Sequence, residues 1–331
     1  MKKKIALLYG GASSEHAVSV MGYDYVKGLI DSKKYDTLPV YIDESGEWWV
    51  KIDGKKESTF PTRRLNGGLY TESGVIHIDA AIPLLHGNGG EDGTVQGALE
   101  CAGIPYIGAG VCESAVCLDK AYTKAIADSL GIPTLKSVTF SRKTDTDTAL
   151  ALCRSRLDFP MFIKPRRLGS SVGAYPVPSE SDFRYAFPLA LKAGDGLITV
   201  EEMLTDKREI ECAFCELNEK RIITPPGEVM INGFYGYGEK YGGNTATAPR
   251  AVLDSATSDL IVGYAEMLAD HLCLRHLARI DFFLTENGVY FNEINTFPGF
   301  TGESLYPRML KENGIDPRYA ISSFIEEAMA W

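Results

Sequence analysis

Apolar and polar positions alternate along the first hundred residues in a way that separates strands from helices. Lys4 to Tyr9 is a largely apolar run that ends at a glycine pair, and from Val18 to Leu29 apolar residues recur at helical spacing. The pattern predicts a buried strand, a glycine turn and a helix. Further buried strands are predicted over Leu38 to Ile42 and Asp79 to Leu85, and a helix over Gly93 to Ala102. This alternation is typical of an open, parallel α/β domain.

The pattern changes after about residue 110. A helix that carries Lys120 and Lys124 comes first, and strand and helix patterns then alternate up to a strand over Leu197 to Glu201. We predict an N-terminal α/β domain over residues 1–110, a central α+β subdomain over 111–202 and a C-terminal α+β subdomain over 203–331. Ligands of open α/β domains bind beyond the carboxyl ends of the strands, where both glycine-rich turns of the first domain are expected to lie.

Composition and charge restrict the class of protein. The 331 residues are 45% hydrophobic and 24% charged, which is typical of a globular chain and excludes a disordered one. A net charge of −10 argues against nucleic acid as a partner. The basic start, MKKKIALLYGG, is too short in its apolar part for a signal peptide, and no window reaches the length of a membrane span. We therefore expect a cytoplasmic protein with no membrane partner.

Cysteine usage points the same way. The seven cysteines are odd in number and scattered along the chain, which favours a reducing compartment over a disulfide framework. Cys212 and Cys215 form a CxxC pair on a predicted strand, where residues three apart point to opposite faces. We therefore expect no zinc or redox site at this pair.

Three oxygen-bearing side chains near the C-terminus indicate a metal site. Arg279 to Leu284 and Val289 to Ile294 read as two strands joined by a turn, so Asp281 faces Glu293 and Asn295 across a hairpin. Two carboxylates and an amide oxygen suit Mg²⁺, which combines a few protein oxygens with nucleotide phosphates. The alternative is an edge hairpin whose polar side chains simply face solvent.

A strand that ends at Lys164 is followed by a glycine- and serine-rich loop over Gly169 to Gly173. Glycines allow backbone N–H groups to approach a phosphate, and the lysine adds a positive charge. By itself such a loop is an ordinary turn. Together with the metal hairpin, and with Glu201 placed at a strand end to bind a ribose hydroxyl, it favours Mg-ATP as the ligand.

Eight segments, in this order, resemble the successive motifs of the D-alanine:D-alanine ligase family, whose members have an ATP-grasp fold. They span nearly the whole chain: GGASSEHAVS, LHGNGGEDGTVQG, IPYIGAG, LDKAYTK, FPMFIKPRRLGSSVG, FYGYGEKY, ARIDFF and NEINTFPGFTGESLYP. The resemblance implies an N-terminal pre-ATP-grasp α/β domain followed by a two-subdomain ATP-grasp fold. It implies ligation of two D-alanines to D-alanyl-D-alanine for peptidoglycan precursor synthesis, through an acyl phosphate formed from ATP.

The resemblance also implies a nucleotide site. Lys120 and Lys164 contact the ATP phosphates, and Ser170 and Ser171 lie in the loop that covers them. The adenosine site is lined by Glu201, Met203, Leu204 and Glu209. Between Leu204 and Glu209 the chain is one residue longer than the family pattern, so Glu209 is the least securely placed member of this set.

The metal and reaction centre follow from the same motifs. Asp281, Glu293 and Asn295 hold two Mg²⁺ ions, with Mn²⁺ as an alternative and room for a monovalent cation. Arg279 and the Gly299 N–H stabilise the acyl phosphate and the tetrahedral oxyanion. For Arg279 the alternative is a surface strand arginine, and for Gly299 a conformational need of the turn.

The amino-acid sites are implied in the same way. Glu15 pairs with the ammonium of the first D-alanine, and His86 faces the same substrate. Ser304 and Leu305 hold the carboxylate and methyl group of the second. Glu15 could also be a charge favoured by the helix dipole, and His86 a capping or packing histidine.

A glycine-aromatic loop over Asn232 to Asn244 has the length of a functional lid. In the family, Lys240 and Tyr241 close over the site, and Tyr241 bonds the serine that corresponds to Ser170. Closure excludes water that would hydrolyse the acyl phosphate. The alternative is that the loop tyrosines only pack.

Tyr241 and Leu305 also bear on the second substrate, because relatives that use D-lactate often lack the tyrosine and D-lactate or D-serine ligases tend to carry arginine after the serine. These residues favour D-alanine, and D-serine is the nearest alternative.

Two other classes of protein are alternatives to a ligase: an NAD-dependent oxidoreductase, for which a proper fingerprint is missing, and a non-catalytic nucleotide-binding protein. The family further implies a homodimer formed through the N-terminal domain.

Overall fold

A computed structural model describes residues 2–230 and 246–330 of the chain. The strands there are β1 Lys3–Gly10, β2 Tyr35–Ile42, β3 Trp48–Ile52, β4 Lys55–Ser58, β5 Phe60–Thr62, β6 Gly68–Thr71, β7 Gly74–His77, β8 Ala80–Pro83, β9 Ser137–Ser141, β10 Met161–Pro165, β11 Tyr175–Val177, β12 Leu197–Glu202, β13 Arg208–Leu217, β14 Lys220–Ile223, β15 Gly227–Met230, β16 Ala246–Ala248, β17 Leu277–Thr285 and β18 Gly288–Asn295. The α-helices are α1 His16–Leu29, α2 Thr94–Ala102, α3 Val111–Leu118, α4 Lys120–Ser129, α5 Thr146–Arg154, α6 Glu180–Ala193, α7 Ser255–His271, α8 Leu305–Glu312 and α9 Pro317–Ala330.

The N-terminal sheet has the strand order β4-β3-β2-β1-β8, and β1 runs parallel to both of its neighbours, β2 and β8. Ile5, Leu7 and Leu8 on β1 are fully buried, as expected for a parallel strand covered on both faces. The predicted open α/β unit is therefore confirmed. The hairpin β3–β4 and the small sheet β5-β6-β7 were not predicted, because their strands are short and partly exposed.

The central sheet has the order β11-β10-β12-β9, and its strands are antiparallel. Helices α5 and α6 pack against it, and each has a side-chain N-cap, from Asp145 and Ser179 respectively. The single predicted helix around Lys120 is instead two helices, because Asp119 between them has extended backbone angles and caps α4 with its side chain.

The C-terminal sheet has the order β16-β15-β13-β17-β18, with β14 also paired to β13. One face packs against α7 and includes Cys212, and the other packs against α8 and α9 and includes Cys215. The two cysteines therefore lie on opposite faces of β13, as predicted. Helices α3 and α4 contribute Cys117 and Ala127 to the first of these cores.

The core shared by α8 and α9 also contains N-terminal residues. Ile5 and Leu7 of β1 belong to the same buried cluster as Phe324 and Ile325 of α9. The last two helices thus join the C-terminal sheet to the N-terminal one. Within the described ranges, no helix combines the length and the apolar character needed to cross a membrane.

Candidate active site

A cavity of about 810 Å³ is lined by residues of the central and the C-terminal sheets. Its lining includes most of the residues that the sequence predicts for a nucleotide and metal site: Lys120, Lys164, Ser170, Ser171, Glu201, Met203, Leu204, Glu209, Arg279, Asp281 and Glu293. Residues that are distant in sequence thus converge on one space. Lys240 and Tyr241 lie outside the described residues.

The predicted hairpin is β17–β18, and Asp281 pairs directly with Glu293 across it. Regular pairing breaks after this point, since Phe282 is opposite Phe291 and Asn292 is the extra residue of a β-bulge. A bulge sends neighbouring side chains to the same side, so both Asn292 and Glu293 line the cavity. Asn292 was missed because strict alternation would point it away from Glu293.

A row of three carboxylates crosses the sheet: Glu211 on β13 is opposite Asp281, and Asp281 is opposite Glu293. Arg279 lies two residues before Asp281 and contacts two members of this row. Its guanidinium donates to both oxygens of Asp281, at 2.8 and 2.7 Å, and its Nε lies 3.2 Å from Glu211 Oε2. Asn295 donates from Nδ2 to Asp281 at 3.0 Å. The Arg279 side chain is therefore fixed by two carboxylates beside the cavity, and the alternative of a surface arginine is wrong.

The Lys120 ammonium connects the carboxylate row to the loop after β10. Its Nζ lies 3.1 Å from Glu293 Oε2 and donates to the Leu168 carbonyl at 2.8 Å. Asp281 and Glu293 face each other across the hairpin as hard oxygen donors, which suits a divalent cation such as Mg²⁺. Among the described residues, no group of three His, Cys, Asp or Glu side chains forms a metal site of that type. The third predicted ligand, Asn295, turns its amide nitrogen and not its oxygen towards Asp281 in this structure.

Three buried charges lie at the opposite wall, where Glu201 and Lys164 line the cavity and Lys124 contacts Glu201. The Glu201 carboxylate on β12 lies 2.9 Å from Lys164 Nζ and 2.5 Å from Lys124 Nζ, so its two oxygens contact different lysines. Burial alone would raise the pKa of Glu201, but the two ammonium groups outweigh it and hold that pKa at about 2. Lys164 also donates to Asn292 at 3.3 Å. The carboxylate proposed to bind a ribose is therefore ionised and fixed by lysines.

The loop after β10 is anchored below the cavity. Asp119 is fully buried and accepts hydrogen bonds from Arg166 at 2.8 and 2.9 Å and from Arg167 at 2.8 Å. Further along the loop, Ser170 and Ser171 have left-handed φ angles of 51° and 58°. Such angles are uncommon for residues other than glycine and indicate a loop that its surroundings hold in place.

The loop reaches the N-terminal domain through Ser170, whose hydroxyl donates to Glu15 Oε1 at 2.5 Å. Glu15 is half-buried at the start of α1, and Gly169 and Gly87 flank its carboxylate. A Cβ atom at either glycine would come within 3.2 or 3.0 Å of Glu15 Oε2. Small residues are therefore needed on both sides of this contact.

His86 and Glu91 continue the site towards the last motif. The buried His86 ring donates from Nδ1 to the Phe297 carbonyl at 3.1 Å, and burial lowers the pKa of His86. Glu91 accepts from the Gly87 N–H at 3.0 Å and from the Phe297 N–H at 3.1 Å. Burial, with the nearby Glu15 charge, raises the pKa of Glu91 to about 7. Both side chains tie the segment around Phe297 to the N-terminal domain.

Past Phe297, the loop that leads to α8 brings Gly299 and Ser304 together. A Cβ atom on Gly299 would lie 3.2 Å from Ser304 Oγ. Ser304 occupies the N-cap position of α8, but its hydroxyl accepts from the Thr301 N–H at 3.1 Å and makes no capping bond to the helix. Leu305 is buried in the core next to Tyr306. The structure thus places Ser304 beside the predicted oxyanion donor, and it places Leu305 in the packing beneath it.

Sequence reasoning missed four side chains at this site: Lys124, Glu211, Asn292 and Glu91. For Lys124 a signal existed, because it lies four residues after Lys120 and shares its helix face. A signal also existed for Glu211, because it lies two residues after Glu209 on the predicted strand and so shares its face. The bulge at Asn292 and the burial of Glu91 depend on tertiary contacts that no local pattern encodes.

The chain is similar to known ligases along most of its length. Residues 4–109 match the D-ala D-ala ligase N-terminus and residues 126–326 match the D-ala D-ala ligase C-terminus. The chain is 38% identical over 361 residues to a D-alanine–D-alanine ligase of Ruminiclostridium cellulolyticum, with 99% of this chain and 95% of that one covered. It is also 38% identical over 334 residues to one from Solibacter usitatus, with 99% and 96% covered.

Solved structures show the same relationship. The D-alanyl-alanine synthetase A of Vibrio cholerae superimposes with a TM-score of 0.90 at 34% identity, covering 100% of this chain and 99% of that one. The VanG D-Ala:D-Ser ligase of Enterococcus faecalis superimposes with a TM-score of 0.89 at 32% identity, covering 99% and 100%. The expected ATP-grasp fold is confirmed, and the chain belongs to the D-alanine–D-alanine ligase family.

Proposed function

We propose that this enzyme joins two D-alanine molecules into D-alanyl-D-alanine, converts ATP to ADP and phosphate, and so supplies a precursor of peptidoglycan. One observation carries the proposal: the two phosphate-facing lysines, the carboxylate row and Arg279 line the same cavity. At its edge Ser170 bonds Glu15, so a nucleotide and an amino acid have adjoining sites.

The nucleotide half of the site is built from Lys120, Lys164 and the loop over Gly169 to Gly173. Both ammonium groups face the cavity, and the loop backbone adds N–H donors for phosphate oxygens. Met203 and Leu204 provide an apolar wall for the adenine ring beside Glu201 and Glu209. We assign the adenosine end of ATP to this wall.

Asp281, Glu293 and Asn295 would hold Mg²⁺ at the carboxylate row. A divalent cation there neutralises phosphate charge and aligns the attacking and leaving oxygens. Because Glu293 pairs with Lys120 in the structure, we expect Lys120 to exchange this carboxylate for a phosphate when the nucleotide binds. The number of ions, the exchange of Mg²⁺ for Mn²⁺ and a monovalent requirement are parts of the same proposal.

The reaction then proceeds in two steps. The carboxylate of the first D-alanine attacks the γ-phosphorus, ADP leaves, and an acyl phosphate remains. The ammonium group of the second D-alanine releases a proton to solvent, the resulting amine attacks the acyl carbon, and phosphate leaves from the tetrahedral intermediate. Arg279 lies beside the row to stabilise the negative oxygens in both steps, and the Gly299 N–H supplies a second donor.

We place the first D-alanine at Glu15 and His86, where the carboxylate of Glu15 attracts its ammonium group. The second is placed at Ser304, which lies beside Gly299. Leu305, in the packing below, sets an apolar floor. We include the lid residues Lys240 and Tyr241 in the proposed site, and expect Tyr241 to bond Ser170 as in the family.

D-serine is the second candidate for the attacking amine, because the similar VanG structure is a D-Ala:D-Ser ligase. Leu305 favours D-alanine, since it offers no hydrogen bond to a serine hydroxyl. The discriminating experiment incubates the purified enzyme with ATP, Mg²⁺ and equal D-alanine and D-serine, and identifies the dipeptides by mass spectrometry. We expect D-alanyl-D-alanine to dominate. Predominant D-alanyl-D-serine would overturn the substrate assignment, and no ATP consumption with D-alanine would overturn the ligase.

We further propose a cytoplasmic homodimer that assembles through the N-terminal domain. In support, Phe60 and Leu65 of that domain are 57% and 59% exposed, which leaves apolar area for a partner subunit. Cys101, Cys112 and Cys273 are exposed free thiols, in keeping with a reducing compartment. Sedimentation velocity measures the oligomer directly, and a monomer at all concentrations would contradict it.

A further inference from the structure

Lys124 is a charged side chain that the proposed mechanism leaves unused. It lies on α4, four residues after Lys120, and only 3% of it is exposed. It is not among the described residues that line the cavity, whereas Lys164 and Glu201 are. Lys124 therefore has no direct contact with a ligand in this cavity, and its effect on the nucleotide depends on its charge and on its contact with Glu201.

That neighbour is Glu201, which is 2% exposed. Glu201 Oε1 lies 2.5 Å from Lys124 Nζ, and Oε2 lies 2.9 Å from Lys164 Nζ. One carboxylate is thus divided between two ammonium groups from different elements. The buried group of three carries a net charge of +1, because two cations share one anion.

The positions of the two lysines decide how this net charge faces the cavity. Lys164 points into the cavity and would meet the phosphates, while Lys124 is behind Glu201. Without Lys124, Glu201 and Lys164 would form a neutral pair, and the wall would present no net charge to a phosphate. In a water-poor site, a unit charge acts strongly over several ångströms.

We infer that Lys124 is a positioning residue for nucleotide phosphates: it shares the Glu201 carboxylate with Lys164, so that Glu201 does not fully neutralise the Lys164 ammonium and a net positive charge faces the phosphates. This inference rests on the proposed nucleotide site. Its competitor is a purely structural ion pair that fastens α4 to the central sheet. A structural pair would affect the fold, or all ligands equally, and would not select for phosphate.

The test compares Lys124→Met with the wild-type enzyme by calorimetry, using ATP with Mg²⁺ and, separately, adenosine. We expect the dissociation constant for ATP to rise about tenfold or more, as for the loss of one charge at an effective dielectric constant near 20. The constant for adenosine, which has no phosphate, should change less than about twofold, well under the change for ATP. Equal increases for both ligands, or none, overturn the inference.

Matched variants separate the charge from other effects. Lys143→Met removes the same charge from an exposed turn, where solvent screens it, and should leave both constants unchanged. Lys124→Arg keeps the charge and should retain ATP affinity. In the double variant Lys124→Met with Glu201→Gln, Lys164 alone restores a net charge of +1. We expect the ratio of the ATP and adenosine constants to return towards the wild-type value, and a ratio that stays at the Lys124→Met value contradicts the charge argument.

Folding is monitored by thermal unfolding of each variant. If Lys124→Met does not fold, Lys124→Gln takes its place, because its amide can still bond Glu201 but carries no charge. The same loss of ATP affinity is then expected, and an unchanged ATP-to-adenosine ratio overturns the inference. A wild-type enzyme that binds no ATP would refute the proposed function itself, which distinguishes the two failures.

Discussion

Arg279 and Glu211 belong to one charged unit. The Nε of Arg279 lies 3.2 Å from Glu211 while the guanidinium holds Asp281, so the arginine is fixed from two strands. Nearby carboxylates raise the pKa of Arg279 and outweigh the opposing effect of its burial. The guanidinium therefore stays charged and oriented before any substrate arrives, as electrostatic stabilisation of an oxyanion requires.

Glu91 gives a pH prediction at the scale of one residue. Its pKa is raised by burial to about 7 from a model-compound value of 4.5. Below pH 4.5 the Glu91 carboxyl group is protonated in both the folded and the unfolded state. As the pH rises towards 7, the unfolded state releases this proton first. The free energy of unfolding therefore falls across this window. The loss amounts to roughly 3 kcal/mol by linkage.

The Glu91→Gln variant has no carboxyl group at this position, so it lacks this pH-dependent contribution to stability. We expect the free energy of unfolding of the wild type, relative to the variant, to fall between pH 5 and pH 8, measured by urea denaturation at both values. Glu44→Gln, at an exposed position, is the control and should show a constant difference. A constant difference for Glu91→Gln as well would show that its carboxyl group titrates normally.

Among the elements, the loop after β10 depends on its anchor at α4. Asp119 caps this helix and accepts from Arg166 and Arg167, so it joins the cap of one element to the start of the loop. The same helix carries Lys120 into the cavity. Lys120 and the glycine- and serine-rich loop are thus positioned by a single buried carboxylate.

Asp119→Asn keeps a capping oxygen but removes the charge that holds both arginines. We expect the KM for ATP to rise about tenfold with a smaller change in kcat, because loop order contributes mainly to binding. Steady-state kinetics with ATP as the varied substrate measures this. Arg167→Gln removes a half-exposed partner and is the control, with a change of less than about threefold expected. A fall in kcat with an unchanged KM would contradict this role.

How far local patterns predict the site is clearest from individual residues. The pairing of Asp281 with Glu293 follows from strand alternation and a turn, and the structure confirms it. Asn292 could not be placed, because a bulge depends on the registry of two strands. Lys124 and Glu201 were both visible as charges, but their contact joins a helix to a sheet 77 residues away along the chain. Patterns give elements and faces, whereas contacts between elements come only from packing.

At the scale of the whole molecule, α9 links the first and last sheets. Phe324 on this helix is fully buried in the cluster that also holds Ile5 of β1. The domain boundaries at residues 110 and 202 stay a prediction from the sequence. The shared core means that the N-terminal domain and the C-terminal helices stabilise each other.

Phe324→Ala should therefore destabilise both parts together. We expect a loss of about 3 to 5 kcal/mol, since a large aromatic side chain leaves a cavity. Urea unfolding followed by circular dichroism measures the loss. Tyr185→Ala, at a site that is 71% exposed, is the control and should stay within about 0.5 kcal/mol. Two separate transitions, only one of which moves, would show that the halves unfold independently.

The bulge at Asn292 has a consequence for how such enzymes can diverge. Adding or removing a single residue between Phe291 and Asn295 would rotate every later side chain to the other side of β18. Glu293 would then leave the cavity, and Asn295 would lose its hydrogen bond to Asp281. Insertions and deletions among relatives should therefore be tolerated in the Glu286–Gly288 turn and excluded from β18. We expect the length of β18 to be as constrained as the identity of its polar side chains.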